Sequence, residues 1–172
     1  MTTTLIAEPL TAKAFAAFGE VIDLAGAVGE QINYGNTEKF ADLLQIDTAA
    51  EGGRTAVHLY RSQPLALPLK IEVMERHPIG SQAFIPLHIR PFPVIVAAPD
   101  AERLDASTVR IFLSNGRQGV NLRRGTWHHY QVSLSQVSDY LVIDRVGPGA
   151  NFDERRLDPP LLIGNLDHAN LL

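Results

Sequence analysis

Between Thr55 and Val146 the apolar residues recur in short runs, and Gly, Pro or Asn closes almost every run. Thr55, Val57, Leu59 and Arg61 alternate with Ala56, His58 and Tyr60, a period of two that an extended strand turns into two distinct faces. Pro64 and Pro68 then interrupt the ladder. Phe92 to Ala98 is almost continuously apolar and suits a strand buried on both faces. Thr108 to Ser114, Val120 to Arg124, Trp127 to Leu134 and Asp139 to Val146 read as further strands. Turn signals at Asn115-Gly116, Arg124-Gly125 and Gly147-Pro148-Gly149 separate them. Roughly eight short strands at this spacing predict a mainly β chain folded as a sandwich or closed barrel.

The flanks carry weaker signals. Leu5 to Leu10 fits a short strand, and Thr11 fits the N-cap of a short helix through Ala14, Phe15 and Phe18 that Gly19 stops. Val21 to Leu24 fits another strand. Asn33-Tyr34-Gly35-Asn36 reads as a loop, since Asn and Gly tolerate positive φ, and Thr37 to Ile46 as a weak helix. The tail after Asn151, with its Leu161-Leu162-Ile163 patch, is expected to cover a barrel edge or another subunit.

At 172 residues and 45% hydrophobic content, one domain over residues 1–172 is expected. The absence of cysteine removes disulfides, thiolate nucleophiles and Cys-ligated zinc. Any metal must therefore use His, carboxylate or amide oxygen. A formal charge of -4 with scattered Lys and Arg gives no footprint for nucleic acid. No run approaches the ~18–20 apolar residues of a membrane span, so a soluble, cytoplasmic protein is expected.

The chemistry concentrates in two stretches. In Glu72 to Leu87, strand alternation puts Glu75 and His77 on one face of a first run, and Gln82 and Phe84 on one face of a second. The Pro78-Ile79-Gly80 corner is expected to fold the second run back on the first. The other stretch, Asn115 to Tyr130, supplies adjacent His128 and His129, of which only one can face the interior of a strand; His128 is the choice, with Trp127 and His129 outside. Glu75, His77, Gln82 and His128 form an oxygen and imidazole set suited to a divalent transition metal. The same residues also fit plain strand positions, with His77 capping the turn before Pro78. Arg61, Asp144 and Arg145 are candidates for holding a small anion, because a guanidinium grips a carboxylate with two parallel hydrogen bonds; a surface ion pair of Asp144 with Arg145 is the simpler alternative. Asn33 is a turn residue that could also touch substrate.

At these stretches the sequence resembles the ureidoglycolate lyase family, a branch of the cupin-like barrels. The resemblance rests on Glu75-Arg76-His77-Pro78 with Gly80, on Gln82-Ala83-Phe84-Ile85-Pro86, on Asn115-Gly116 with Gln118-Gly119-Val120-Asn121, on Trp127-His128-His129 and on Ile143-Asp144-Arg145. Phe15 with Gly19, Asn33 with Gly35, and Arg61 with Gln63-Pro64 extend it from about Leu5 to Arg145. It implies a cupin-like antiparallel β-barrel of the double-stranded β-helix type with a few short helices. It also implies a divalent, nickel-type cofactor, a homodimer, and cleavage of ureidoglycolate to glyoxylate and urea in allantoin breakdown. Against the general cupin pattern, Glu75 stands for the first His, His77 for the second and Gln82 for the Glu, while Gly125-Thr126-Trp127-His128 supplies the second motif. An amidohydrolase releasing ammonia from the same substrate, another cupin-like metal-dependent enzyme, and a sensor of a small carboxylic acid are the alternatives.

Overall fold

The structure, a computed structural model, describes residues 5–99, 104–164 and 166. It is mainly β and cupin-like. In chain order the elements are β1 (Ala7–Pro9), α1 (Ala12–Phe15), β2 (Gly19–Ile22), β3 (Glu30–Ile32), β4 (Thr37–Lys39), β5 (Arg54–Ser62), β6 (Leu69–Arg76), β7 (Gln82–Pro86), β8 (Pro93–Ala97), β9 (Arg110–Leu113), β10 (Gly119–Leu122), β11 (Trp127–His128), β12 (Ser138–Val146) and β13 (Asp153–Ile163). Among these residues no helix is long and apolar enough to cross a membrane.

Two sheets carry the fold. One has the order β1-β9-β8-β11-β6-β13, the other β2-β10-β7-β12-β5, and β3 pairs with β4 as a separate hairpin. All the pairs between these strands are antiparallel except β1 with β9. The ladders end at β1 and β13 in one sheet and at β2 and β5 in the other, so the described strands make two facing sheets rather than one ladder closed on itself.

The cores follow from strand alternation. Val94 and Val96 of β8 point between the sheets, where they join Phe84, Phe112, Val120, Leu122, Tyr140 and Val142. Ile95 and Ala97 of the same strand point the other way, into a second cluster with Ile71, Met74, Ile111, Trp127 and Ile163. The apolar run at Phe92 to Ala98 is thus buried on both faces, as its composition predicts. Thr11 caps α1 by accepting a hydrogen bond from Ala14 N at 3.2 Å. The cap aims Phe15 and Phe18 at Phe112, with ring centroids 5.2 and 5.7 Å away.

Several expectations need correction. Thr37 to Ile46 is not helical: Thr37–Lys39 pairs with β3, and the rest runs as irregular chain. Along this segment and just beyond it, Gln45 and Asp47 give their backbone carbonyls to Asn121 Nδ2 and Ser81 N, so long-range bonds replace the local helical ones. The Pro78-Ile79-Gly80 corner is not a hairpin turn either. It carries the chain from β6 in one sheet to β7 in the other, since those two strands have different neighbours. Trp127 is not on the outside but fully buried in the second core, and His129 is buried too, held by its backbone N to Ile95 O at 3.0 Å. The tail does cover a sheet edge, as β13 along β6.

Phe112 is fully buried at the meeting point of α1 and both sheets. Phe112→Ala is expected to lower the unfolding free energy by about 3–5 kcal/mol through lost transfer energy and a residual cavity. Urea denaturation followed by tryptophan fluorescence measures it.

Candidate active site

Four side chains converge where the ends of the two sheets face each other. Glu75 of β6 is in direct register with His128 of β11. His77 follows β6 by one residue, and Gln82 opens β7 on the opposing sheet. Glu75, His77 and His128 each offer one ligand atom within 4.8 Å of the others. The two imidazole rings lie 5.4 Å apart between centroids. Gln82, Arg123 and Thr126 line the same hollow as the two histidines.

Hydrogen bonds fix the tautomers. His77 Nδ1 is 2.8 Å from the backbone oxygen of Asn151, and His128 Nδ1 is 3.2 Å from that of His129. A carbonyl only accepts, so both Nδ1 atoms carry the proton and both Nε2 atoms present lone pairs. These two Nε2 atoms and Gln82 Oε1 are buried without a hydrogen-bond partner among the described residues. An unmet buried acceptor costs about 1–3 kcal/mol. With the Glu75 carboxylate, whose Oε1 lies 3.8 Å from His128 Nδ1, the cluster supplies nitrogen and oxygen donors of the kind that fit a divalent cation.

The electrostatics agree with that arrangement. Burial, reinforced by the neighbouring His77, pushes the His128 pKa down to about 3, which keeps its ring neutral. Burial also raises Glu75 above the ordinary carboxylate range, with His77 opposing the rise and Glu154 adding to it. A cation would favour the neutral imidazole and the ionised carboxylate together, since a ligand must be deprotonated to bind.

Behind the cluster runs a second polar chain. Gln82 Nε2 donates to Asp144 Oδ2 at 3.3 Å, and Asp144 Oδ1 is 3.1 Å from His58 Nε2. Tyr60 stands beside them, its ring centroid 6.2 Å from His58 and 6.3 Å from Phe84. Burial raises the Tyr60 pKa, and the charges of Asp144 and Glu75 raise it further. Tyr60 is therefore a protonated phenol near both carboxylates.

The remaining candidates lie elsewhere. Arg145 is buried, and its guanidinium donates to the backbone oxygens of Ala50, Glu51 and Pro148. It fastens the loop before β5 and leaves Asp144, on the opposite face of β12, to Gln82 and His58; the two neighbours make no surface ion pair. Arg61 faces away from His58 and Tyr60 and makes a bidentate pair with Asp139 at 2.8 and 2.9 Å. Asn33 sits in an exposed turn at φ 51 and donates to Thr37 Oγ1 at 3.3 Å.

A family model described as Ureidoglycolate lyase matches residues 2–164. The chain belongs to the ureidoglycolate lyase family. A relative named Ureidoglycolate lyase from Burkholderia mallei is 51% identical over 158 residues, which cover 92% of each chain. One of the same name from Brucella anthropi is 47% identical over 151 residues, 88% of each. Ureidoglycolate lyase 1 from Rhizobium meliloti is 44% identical over 163 residues, 95% of each. The family match spans both sheets and the positions of all four clustered residues.

Four residues at the site escape a reading of the family's motifs. His58 and Tyr60 share a face of β5 in the alternation, but nothing in the sequence says that this face is the inner one. Asn151 holds the His77 corner twice, through its backbone oxygen and through Oδ1 to Ile79 N at 3.1 Å. Arg123 reaches the hollow from the turn after β10 and donates to Ala16 O at 3.1 Å.

A histidine that titrates near 6.5 when unfolded and near 3 when folded stabilises the fold in its neutral form. That contribution is fully present above pH 6.5 and is lost as the pH falls toward 3, at up to about 1.4 kcal/mol per pH unit. Urea denaturation in chelator, from about pH 7 down to pH 5, is expected to show a steeper loss for the parent than for His128→Asn. Parallel slopes would mean that His128 is not held neutral by burial.

Proposed function

We propose that this protein is a lyase that cleaves ureidoglycolate to glyoxylate and urea in allantoin degradation. The observation that carries the reading is the cluster of Glu75, His77 and His128, one ligand atom of each within 4.8 Å of the others, together with His77 Nε2, His128 Nε2 and Gln82 Oε1, all buried and unmet among the described residues. Membership in the family supplies the substrate. The same reading takes the enzyme to be cytoplasmic.

Ureidoglycolate is a carbinolamide, so the chemistry needs no added water. Removal of the hydroxyl proton lets the carbon collapse to the aldehyde, the C–N bond breaks, and the departing urea nitrogen takes up a proton. Glu75, His77, Gln82 and His128 would hold a divalent cation, with nickel the first candidate, and its Lewis acidity would lower the pKa of a hydroxyl in contact with it. Glu75, through a carboxylate oxygen left free by the cation, accepts the hydroxyl proton. Tyr60, kept protonated by its surroundings, stands ready to return a proton to the nitrogen. Arg123 takes the substrate carboxylate: it lines the hollow, whereas Arg145 is committed to backbone carbonyls and Arg61 faces outward.

We also propose a homodimer through the outer face of β5. Val57 and Leu59 are 63% and 72% exposed there, in register with Ile143 and Leu141 of β12. An apolar strip on an edge strand is costly to leave in water. Sedimentation analysis is expected to give a dimer for the parent and a shift toward monomer for Leu59→Glu; a parent that sediments as a monomer would remove this assembly.

The decisive experiment incubates the protein with ureidoglycolate, with and without chelator, and quantifies glyoxylate, urea and ammonia. Glyoxylate and urea in equal amounts, without ammonia, are expected, with turnover lost in chelator and restored by nickel. His77→Ala is expected to lower kcat by about 10²-fold or more while the circular dichroism spectrum is kept. Ammonia in place of urea would make the protein an amidohydrolase, and activity that resists chelator would remove the cation.

A further inference from the structure

Gln82 is the neutral member of a cluster that otherwise draws on two imidazoles and a carboxylate. A carboxamide has two unlike ends of nearly equal shape, and only the oxygen end can serve a cation or accept a hydrogen bond from a substrate N–H. Something must therefore decide which end faces the cluster. Gln82 and Asp144 are directly opposite each other in the antiparallel pairing of β7 with β12. The amide nitrogen donates to Asp144 Oδ2 at 3.3 Å, and Oε1 is left buried and unmet beside the two histidines. Turned over, Gln82 would set its oxygen against the Asp144 carboxylate and its N–H groups toward the cluster. Both contacts would be repulsive or useless.

Asp144 is itself held from behind. His58 Nε2 lies 3.1 Å from Asp144 Oδ1, and a bond from imidazole to carboxylate requires the N–H on that nitrogen. The contact is diagonal across the pairing of β5 with β12, where Asp144 stands opposite Ala56 and His58 opposite Val142. With one oxygen fixed by His58, the other is aimed at Gln82.

We propose that Asp144, anchored by His58, is the positioning residue that sets the polarity of the Gln82 carboxamide and so completes the donor set of the active site. The pairing also accounts for Gln rather than Glu at this position, because two carboxylates in direct cross-strand contact would repel. Asp144 thus acts through Gln82 and does not itself touch the substrate. The inference rests on the proposed active site, and its test separates the two.

The test is a cycle of four proteins: the parent, Asp144→Asn, Gln82→Glu and the double variant. The asparagine of Asp144→Asn offers either a donor or an acceptor, so Gln82 is no longer held with its oxygen inward. In the double variant the asparagine amide donates to the introduced carboxylate, whose second oxygen again faces the cluster. Nickel affinity by titration calorimetry is expected to fall about tenfold or more in Asp144→Asn, as it does when a metal ligand loses its orienting partner. Adding Gln82→Glu is expected to raise affinity by a much larger factor in the Asp144→Asn background than in the parent. His58→Gln, which frees the back of Asp144, is expected to weaken nickel binding in the same direction by less, and it serves if Asp144→Asn does not fold. The proposal is overturned if Asp144→Asn binds nickel as the parent does, or if Gln82→Glu changes affinity by one factor in both backgrounds. A merely structural Asp144 would lower the melting temperature without rescue by Gln82→Glu. If the parent binds no nickel, the cation reading fails, and the same cycle read in kcat still decides whether Asp144 orients Gln82.

Discussion

The site depends on how five residues, 77 to 81, cross from one sheet to the other. β6 ends at Arg76 and β7 begins at Gln82, so the connection is short. His77 is pinned twice, by Nδ1 to Asn151 O and by its backbone oxygen, which accepts from Gly125 N at 2.9 Å. Ser81 N bonds Asp47 O at the far end. Gly80 packs against the stem of Arg145, where an added Cβ would come within 2.7 Å of the Arg145 Cβ. A side chain there would push the crossover off β12, and His77 and Gln82 would lose their common focus.

Arg145 has its place in the same architecture. A buried guanidinium needs hydrogen-bond acceptors, and here three backbone carbonyls accept from Nε and Nη2. The result is a cationic staple that ties the loop at 50–53 and the turn at 147–149 to the crossover. On the other side of β12, Asp144 is left as the partner of Gln82. One strand thus supplies a structural cation on one face and a carboxylate for the cluster on the other, an arrangement that follows from the period of two.

Burial decides the chemistry of the cluster more than charge does. His128 is neutral because water cannot reach it, and partial burial raises the Glu75 carboxyl as well. Both hydrogen-bonded Nδ1 atoms turn the histidines so that lone pairs face inward. A surface cluster of the same residues would be hydrated and largely unperturbed.

The β character of the chain, the doubly buried strand at Phe92 to Ala98, the Thr11 cap and the donor chemistry of Glu75, His77, Gln82 and His128 were all legible in the sequence, because alternation, turn residues and side-chain type are local properties. The helix expected at Thr37 to Ile46 and the hairpin expected at Pro78 failed where distant partners outcompeted local preference. Arg145 shows the limit best: its neighbours in sequence suggested an exposed ion pair with Asp144, but adjacent strand residues point to opposite faces, and only the packed fold says which face is inside. By itself the sequence determined which residues could form strands and which could donate to a cation. Tertiary structure alone decided that β6 and β7 belong to different sheets, that Gln82 meets Asp144, and that His58, Tyr60, Asn151 and Arg123 stand around the cluster, because those relations are made by contacts between residues far apart in the chain.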